Sequence, residues 1–235
     1  MYKLTWPFLD VGCGVGDLSA YLSLKGWNGK AIDISEAAIN KAKINLALCP
    51  QVLVEKRSLF SEEQYYNTIF AWDVVEHISD DQAFLKKISS LLLPGGYACF
   101  CVPSNPKEWR WDDDFYGHMR RYTTEDLNKK LINVGLTPII SWDVTYPVFW
   151  SMRRFYTFFK KPPKDIAPNK AVRTENSTLN NAWDLPLASR ILNRQYLFWK
   201  ILYNMQFNCC RQSIDLGHEM LVLAQKNTGG RNANN

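Results

Sequence analysis

The feature that most constrains this chain is the segment FLDVGCGVGDLS at residues 8–19. A short apolar run is followed by Gly12, Gly14 and Gly16 in a G-x-G-x-G spacing, and then by residues at helical spacing. Glycine lets the backbone turn sharply and approach a ligand closely, because it has no Cβ. A helix that begins directly after a strand also presents free N–H groups and the positive end of its dipole. The segment predicts a strand, a ligand-holding turn and a helix.

The acids around these glycines favour a cationic ligand. Dinucleotide enzymes use G-x-G-x-x-G, but the third residue after Gly14 is Asp17, whose carboxylate would repel a pyrophosphate. Asp10 precedes the first glycine, and Asp33 ends the next predicted strand, where an acid can accept hydrogen bonds from ribose hydroxyls. An ammonium or sulfonium group suits this arrangement. The alternatives are a strand–turn–helix without a ligand and, for Asp33, a helix N-cap in competition with Ser35.

Four segments together resemble the class I S-adenosylmethionine-dependent methyltransferases. Residues 8–19 resemble motif I, and D-x-x-E-H at residues 73–77 resembles motif IV and its following residues in the ubiquinone-pathway O-methyltransferases. Two later segments are also similar to the family: residues 91–104, LLLPGGYACFCVPS, and residues 118–123, HMRRYT, which precede TEDLNKKLINVGL. The resemblance covers residues 8–146 and 216–226. It implies an α/β fold with a doubly wound, seven-stranded, mostly parallel sheet, and S-adenosyl-L-methionine as cofactor.

The resemblance also implies roles for individual residues. Asp33 would bind the ribose, Ile34 the adenine face and Ser58 the adenine amino group, although a plain turn serine is an equal alternative for Ser58. His77 and His118 are the candidate general bases, since histidine titrates near neutral pH. The predicted cofactor residues are Asp10, Gly12, Cys13, Gly14, Gly16, Asp33, Ile34, Ser58, Leu59, Asp73 and Val74, and the predicted substrate contacts are Glu76, Tyr116, Arg120, Arg121 and Tyr122.

Other roles stay open for several of these residues. His77 could cap the following helix or bond a backbone carbonyl, and a metal shared with Asp73 and Glu76 is a further alternative; the prediction itself includes no metal. The arginines at 120 and 121 could instead pair with the acids at 112–114. The implied reaction is methyl transfer to a small-molecule acceptor (a lipid, quinone, sugar or secondary metabolite), with oxygen as the favoured nucleophile.

Periodicity and turn residues predict the order of the elements. A long aromatic and charged loop is expected at residues 105–122, and Pro94 with its two following glycines is expected to end a helix and turn the chain. Cys99 and Cys101 are expected on one face of a strand as small core residues. The predicted helices are 17–25, 35–48, one after the turn that follows Asp73, and one that Thr123 or Thr124 would cap. The remaining strands are 30–34, 51–56, 66–73, 97–102, 136–146 and 218–225.

Residues 147–215 interrupt this pattern with a basic, aromatic insertion. We predict a methyltransferase domain at 1–146 and 216–226, a helical insertion at 147–215, and a disordered tail at 227–235. One amphipathic piece would place Val148, Met152, Phe155 and Phe159 on its apolar face, and a second would align Ile191, Phe198, Leu202 and Met205. The favoured role for the insertion is a substrate lid, followed by membrane contact and by a contact in a homodimer.

Composition narrows the function classes. The net charge of +5 over 235 residues is too mild to indicate nucleic-acid binding, although residues 150–212 hold eleven Lys and Arg against three acids. The six cysteines form no C-x-x-C pair, which fits a reducing, cytoplasmic location. Only seven residues precede the first strand, whereas the family usually has helices there. This motivates a second hypothesis, a cofactor-binding subunit that is inactive or depends on a partner.

Overall fold

A computed structural model describes residues 4–160, 162, 173, 196–209 and 215–228 of the chain. The chain folds into two compact units, each assembled from segments that are separate in the sequence. The first unit comprises Met1–Val102, Glu125–Ile140 and Leu221–Asn235, and the second comprises Pro103–Thr124 and Ser141–Met220.

Seven strands form one sheet in the order β3-β2-β1-β4-β5-β7-β6. The strands β1 to β5 pair in parallel with their neighbours, and β6 and β7 add an antiparallel hairpin. The predicted fold class is therefore confirmed. The strands are β1 Phe8–Val11, β2 Gly29–Asp33, β3 Val52–Lys56, β4 Tyr66–Trp72, β5 Leu92–Pro103, β6 Leu136–Asp143 and β7 Glu219–Lys226.

The helices follow the strands with ordinary capping chemistry. Ser35 is the N-cap of α2, since its side chain accepts a hydrogen bond from the N–H of Ala38, and Asp80 caps α3 in the same way. The helices are α1 Asp17–Leu24, α2 Glu36–Asn45, α3 Asp81–Leu91, α4 Trp111–Tyr116, α5 Thr124–Asn133, α6 Val148–Phe159 and α7 Tyr196–Cys209.

The predicted start of the fifth strand, at residue 97, was wrong. Helix α3 already ends at Leu91, and β5 begins at Leu92, so that Pro94 and its two glycines lie inside the strand. Leu92 pairs with Tyr66 of β4 across an irregularity in the register. A Cβ on Gly96 would lie 2.9 Å from the carbonyl oxygen of Asn67. Close strand pairing therefore requires glycine at position 96, while Gly95, with a left-handed φ of 76°, turns the chain as predicted.

The core of the first unit lies on the parallel strands. The rings of Phe8, Trp27 and Phe70 meet with centroids 6.4–6.5 Å apart. Cys99 and Cys101 are buried in the same sheet, as predicted for small core residues. These contacts fix the strands whose carboxyl ends carry the predicted site residues.

In the second unit, the segment predicted as a loop at 105–122 contains a 3-10 turn, Pro106–Glu108, and helix α4. Helix α4 ends at Tyr116 and is followed by Gly117, whose left-handed φ of 80° favours glycine. Both amphipathic pieces of the insertion are helical where the structure describes them. Ile191, the side chain of Phe198 and residues 229–235 of the predicted tail lie outside the described residues.

The predicted orientation of the first amphipathic piece was wrong. Arg153 is buried on α6, whereas Phe155 and Phe159 are 68% and 73% exposed. The cause is a pair of buried acids on α4: Arg153 bonds Asp112 at 2.8 and 2.6 Å and Asp113 at 2.9 Å. A buried arginine is tolerated when carboxylates satisfy it.

Candidate functional site

The turn between β1 and α1 needs its glycines for backbone reasons. Gly12, Gly14 and Gly16 have φ of 66°, 54° and 86°, in the region that L side chains rarely adopt. A Cβ on Gly12 would lie 2.5 Å from the side chain of Val74, and one on Gly16 would lie 2.9 Å from Leu46. The turn is thus held tightly against neighbouring residues and leads directly into α1.

Asp10 is a buried acid at this turn. Its side chain accepts a 2.7 Å hydrogen bond from the hydroxyl of Ser19 and is 2% exposed. Burial, and to a smaller degree the charge of Asp33, raises the pKa of Asp10 to about 6, although the hydrogen bond from Ser19 opposes the rise. A cation next to this carboxylate would offset the cost of keeping it ionised.

Asp33 faces the same turn from the end of β2. One carboxylate oxygen accepts the N–H of Gly14 at 3.0 Å, and the other accepts the N–H of Ser35 at 2.8 Å. Burial raises the pKa of Asp33, although these backbone hydrogen bonds act against the rise. Ser35, not Asp33, caps α2, so the N-cap alternative for Asp33 does not hold. Ile34 beside it is 63% exposed, as an apolar contact for a ligand would need.

Cys13 lies between the two acids in the same turn. Its N–H bonds the carbonyl of Ile32 at 3.0 Å. Burial, then the charges of Asp10 and Asp33, raises the pKa of the Cys13 thiol, so the thiol stays neutral. The turn therefore offers two carboxylates, a neutral thiol and a glycine-rich backbone that a ligand can approach closely. This set of groups fits a cationic nucleoside such as S-adenosylmethionine and would repel a phosphate.

The next two strand ends carry the other predicted cofactor residues of the first unit. Ser58 caps the 3-10 turn Leu59–Ser61 by accepting the N–H of Phe60 at 3.3 Å. Leu59 is buried, which leaves its backbone rather than its side chain for a ligand. Asp73 follows β4 with a left-handed φ of 53°, unusual for a residue other than glycine. The exposed Asp73 and the partly buried Val74 thus occupy a strained turn at a strand end.

Glu76 and His77 lie in the 3-10 turn after Asp73. The Nε2 atom of His77 is 3.8 Å from Oε1 of Glu76, and the Glu76 side chain is fully buried. That burial leaves no exposed surface of Glu76 for the substrate contact predicted from the sequence.

The second unit holds the other predicted base. The Nδ1 atom of His118 is 2.9 Å from Oδ1 of Asp113, and the ring of Tyr116 stacks on the imidazole with centroids 6.1 Å apart. Arg120 is partly buried. Arg121 is buried and bonds Asp113 at 2.7 Å, so the alternative of ion pairing applies to Arg121. Together, these contacts build His118 into a charged and aromatic cluster.

Tyr122 differs most from its predicted role. It has no exposed surface, and its N–H bonds the carbonyl of Pro103 at 2.9 Å. Tyr122 is therefore a core residue of the second unit.

Sequence reasoning missed two residues that shape this cluster. It treated Asp113 as one of three alternative partners for the arginines at 120 and 121, and it assigned no contact to Arg153. The signal for Asp113 was local, because His118 follows it by five residues. Arg153 is forty residues farther along the chain, and no local pattern pairs it with Asp113.

Comparison with known proteins identifies the family and supports the fold. A family model described as a methyltransferase domain matches residues 7–140. The ubiquinone biosynthesis O-methyltransferase of Acinetobacter baylyi is 30% identical over 108 residues, which cover 43% of this chain and 45% of that protein. The match thus spans somewhat less than half of the relative's length.

Solved structures support the fold. A putative sarcosine dimethylglycine methyltransferase from Galdieria sulphuraria aligns with a TM-score of 0.60 at 13% identity, over 96% of this chain and 80% of that one. The phosphoethanolamine N-methyltransferase 2 of Haemonchus contortus, in complex with S-adenosyl-L-methionine, also aligns with a TM-score of 0.60, at 15% identity, over 97% of this chain and 50% of that one. With the family model matching more than half of its length, the chain belongs to the methyltransferase domain family, as the resemblance in its sequence predicted.

Proposed function

We propose that this protein transfers a methyl group from S-adenosyl-L-methionine to a small-molecule acceptor. The observation that carries the proposal is the pair of buried carboxylates, Asp10 and Asp33, on the turn of Gly12, Gly14 and Gly16. In the family, the cofactor supplies an electrophilic methyl group on a sulfonium ion. The pair would hold the positive charge and the ribose, while the exposed Ile34 would contact the adenine.

We propose oxygen as the nucleophile. The named relative is a ubiquinone biosynthesis O-methyltransferase, and an oxygen nucleophile needs a base to remove its proton. His77 and His118 are the candidates, and the contact of His118 with Asp113 favours His118. Its imidazole would take the hydroxyl proton as the oxygen attacks, and would later release that proton to water. The chain otherwise aligns the reactants and excludes water.

The acceptor would be apolar in part, which fits a lipid, quinone or similar metabolite. A groove of about 550 Å³ runs along α6 and is lined by Met152, Phe155, Tyr156, Phe159 and Lys160.

Helix α6 contains no acidic residue, and basic helices with exposed aromatic rings suit the surface of an anionic membrane. We propose that the insertion contacts such a surface. Among the described residues, no helix is long and apolar enough to cross a bilayer.

The test measures release of S-adenosylhomocysteine with matched pairs of acceptors, each pair differing in a hydroxyl or an amine at one position of the same ring or chain. We expect turnover with hydroxyl members, a rate loss of about 10²-fold or more in His118→Gln, and a smaller loss in His77→Gln. Turnover with amines alone would contradict the oxygen nucleophile. Cofactor binding without turnover on any acceptor would favour the partner-dependent subunit.

A further inference from the structure

The Asp113 carboxylate is unusually well satisfied for a buried acid. Oδ1 accepts hydrogen bonds from Arg121 at 2.7 Å and His118 at 2.9 Å. Oδ2 accepts the backbone N–H of Arg110 at 2.8 Å and a guanidinium N–H of Arg153 at 2.9 Å. Burial alone would raise the pKa of Asp113, but the hydrogen bond from His118 and the charges of Arg121 and Arg153 hold it below its ordinary value. Asp113 is therefore an ionised acceptor.

This state of Asp113 decides where the proton of His118 lies. An ionised carboxylate can only accept hydrogen bonds, so the Nδ1 atom of His118 must be the donor. In the neutral imidazole, the lone pair then belongs to Nε2. The stacked ring of Tyr116 restricts rotation of the imidazole further. The second nitrogen then carries the lone pair that a general base requires.

The insertion contributes to this arrangement through α6. Arg153 bonds both Asp112 and Asp113, and a further N–H of its guanidinium bonds the carbonyl oxygen of Glu108 at 2.9 Å. Two arginines, Arg121 and Arg153, therefore balance the two acids. Because Arg153 saturates Oδ2, Oδ1 remains directed at His118.

We propose that Asp113 is a positioning residue that keeps His118 in the tautomer with its proton on Nδ1, and that Arg153 of the insertion holds Asp113 in place. The importance of this for catalysis rests on the proposed function, in which His118 accepts the proton of the acceptor. The tautomer itself does not depend on that function, so the two ideas can fail separately.

The direct test is nitrogen NMR of the full chain labelled at histidine. The chain has three histidines, so His77→Gln and His118→Gln assign all three imidazoles. Above about pH 8, where an ordinary imidazole is neutral, we expect a pyrrole-type Nδ1 and a pyridine-type Nε2 for His118. A protonated Nε2 in the unmutated chain would overturn the proposal without any activity measurement.

Variants of α4 add a second test. Asp113→Asn should convert His118 to a mixture of tautomers and lower kcat at least tenfold, with KM for the cofactor within about twofold. The matched control is Asp114→Asn, since Asp114 is an exposed acid of the same helix whose side chain bonds Trp109; it should leave both tautomer and kcat unchanged. An unaltered tautomer in a folded Asp113→Asn protein would refute the positioning role. If that variant does not fold, the spectrum of the unmutated chain decides.

Activity separates this proposal from the proposed function. Full turnover in His118→Gln, together with the expected spectrum of the unmutated chain, would refute the role of His118 as the base. The tautomer assignment would remain supported. A lost tautomer preference in Arg153→Lys, with the fold intact, would support the role of the insertion. An unchanged preference in that variant would remove Arg153 from the proposal.

Discussion

Asp10→Asn should make the ligand-free protein more stable at neutral and alkaline pH, even though it damages the proposed cofactor site. The folded-state pKa of about 6 for Asp10 lies above the ordinary value of 3.8. The folded state therefore binds the proton more tightly than the unfolded state. The stabilisation that the folded state gains from a protonated Asp10 is fully present below about pH 4 and is lost as the pH rises through about 6.

The magnitude follows from the pKa difference. Each pKa unit is equivalent to about 1.4 kcal/mol, so an ionised Asp10 costs the folded state about 3 kcal/mol above pH 7. Asparagine cannot ionise, and its carbonyl can still accept the hydrogen bond from Ser19. For a chain of this size, a gain of about 3 kcal/mol corresponds to a rise of roughly 6–12 °C in Tm.

The assay compares thermal unfolding of the unmutated chain and Asp10→Asn between about pH 5 and pH 8.5. The difference in Tm should grow with pH through the titration of Asp10. Glu63→Gln is the control, because it removes an exposed carboxylate of the same unit and should give no such trend. A variant that is less stable than the unmutated chain at the alkaline end would refute the reasoning, since the ionised carboxylate would then stabilise the fold by itself.

Three further predictions concern stability and membrane contact. Arg153→Met should cost about 3–5 kcal/mol in urea unfolding, because it leaves buried carboxylates uncompensated; a loss no larger than that of Lys129→Met, which breaks an exposed ion pair with Glu125, would contradict this. Gly16→Ala should cost at least about 1–2 kcal/mol, because φ is 86° and Leu46 is close; unchanged unfolding would refute it. Phe158→Ser should reduce flotation with anionic vesicles and leave Tm unchanged, because the ring is 79% exposed; equal flotation would end the membrane proposal.

The parts of the fold predicted well from the sequence are those set by local patterns. The turn at Gly12, Gly14 and Gly16 was recognisable because left-handed backbone almost demands glycine. The helix that Ser35 caps was recognisable because its apolar residues recur at helical spacing. The burial of Cys99 also followed from strand alternation.

The errors came from contacts between residues distant in sequence. Pairing with Tyr66 draws Leu92 into the sheet, so β5 begins at Leu92 rather than at the predicted residue 97. Arg153 turned inward because two acids on another helix required it. Tyr122 looked like a binding residue since it lies in a charged, aromatic segment, yet the backbone of Pro103 fixes it in the core. No single-sequence pattern contains these partners.

The most direct test of the central claim is calorimetric titration of S-adenosyl-L-methionine into the full chain and two variants. We expect saturable binding by the unmutated protein and at least tenfold weaker binding by Asp33→Ala, because charge-assisted hydrogen bonds contribute about 1.5–3 kcal/mol each. Glu36→Gln, which removes an exposed acid three residues away, should bind within about twofold of the unmutated protein, with both variants folded by thermal unfolding. Absence of binding to the unmutated chain, or equal affinity in Asp33→Ala, would contradict the assignment of a cofactor site to this turn.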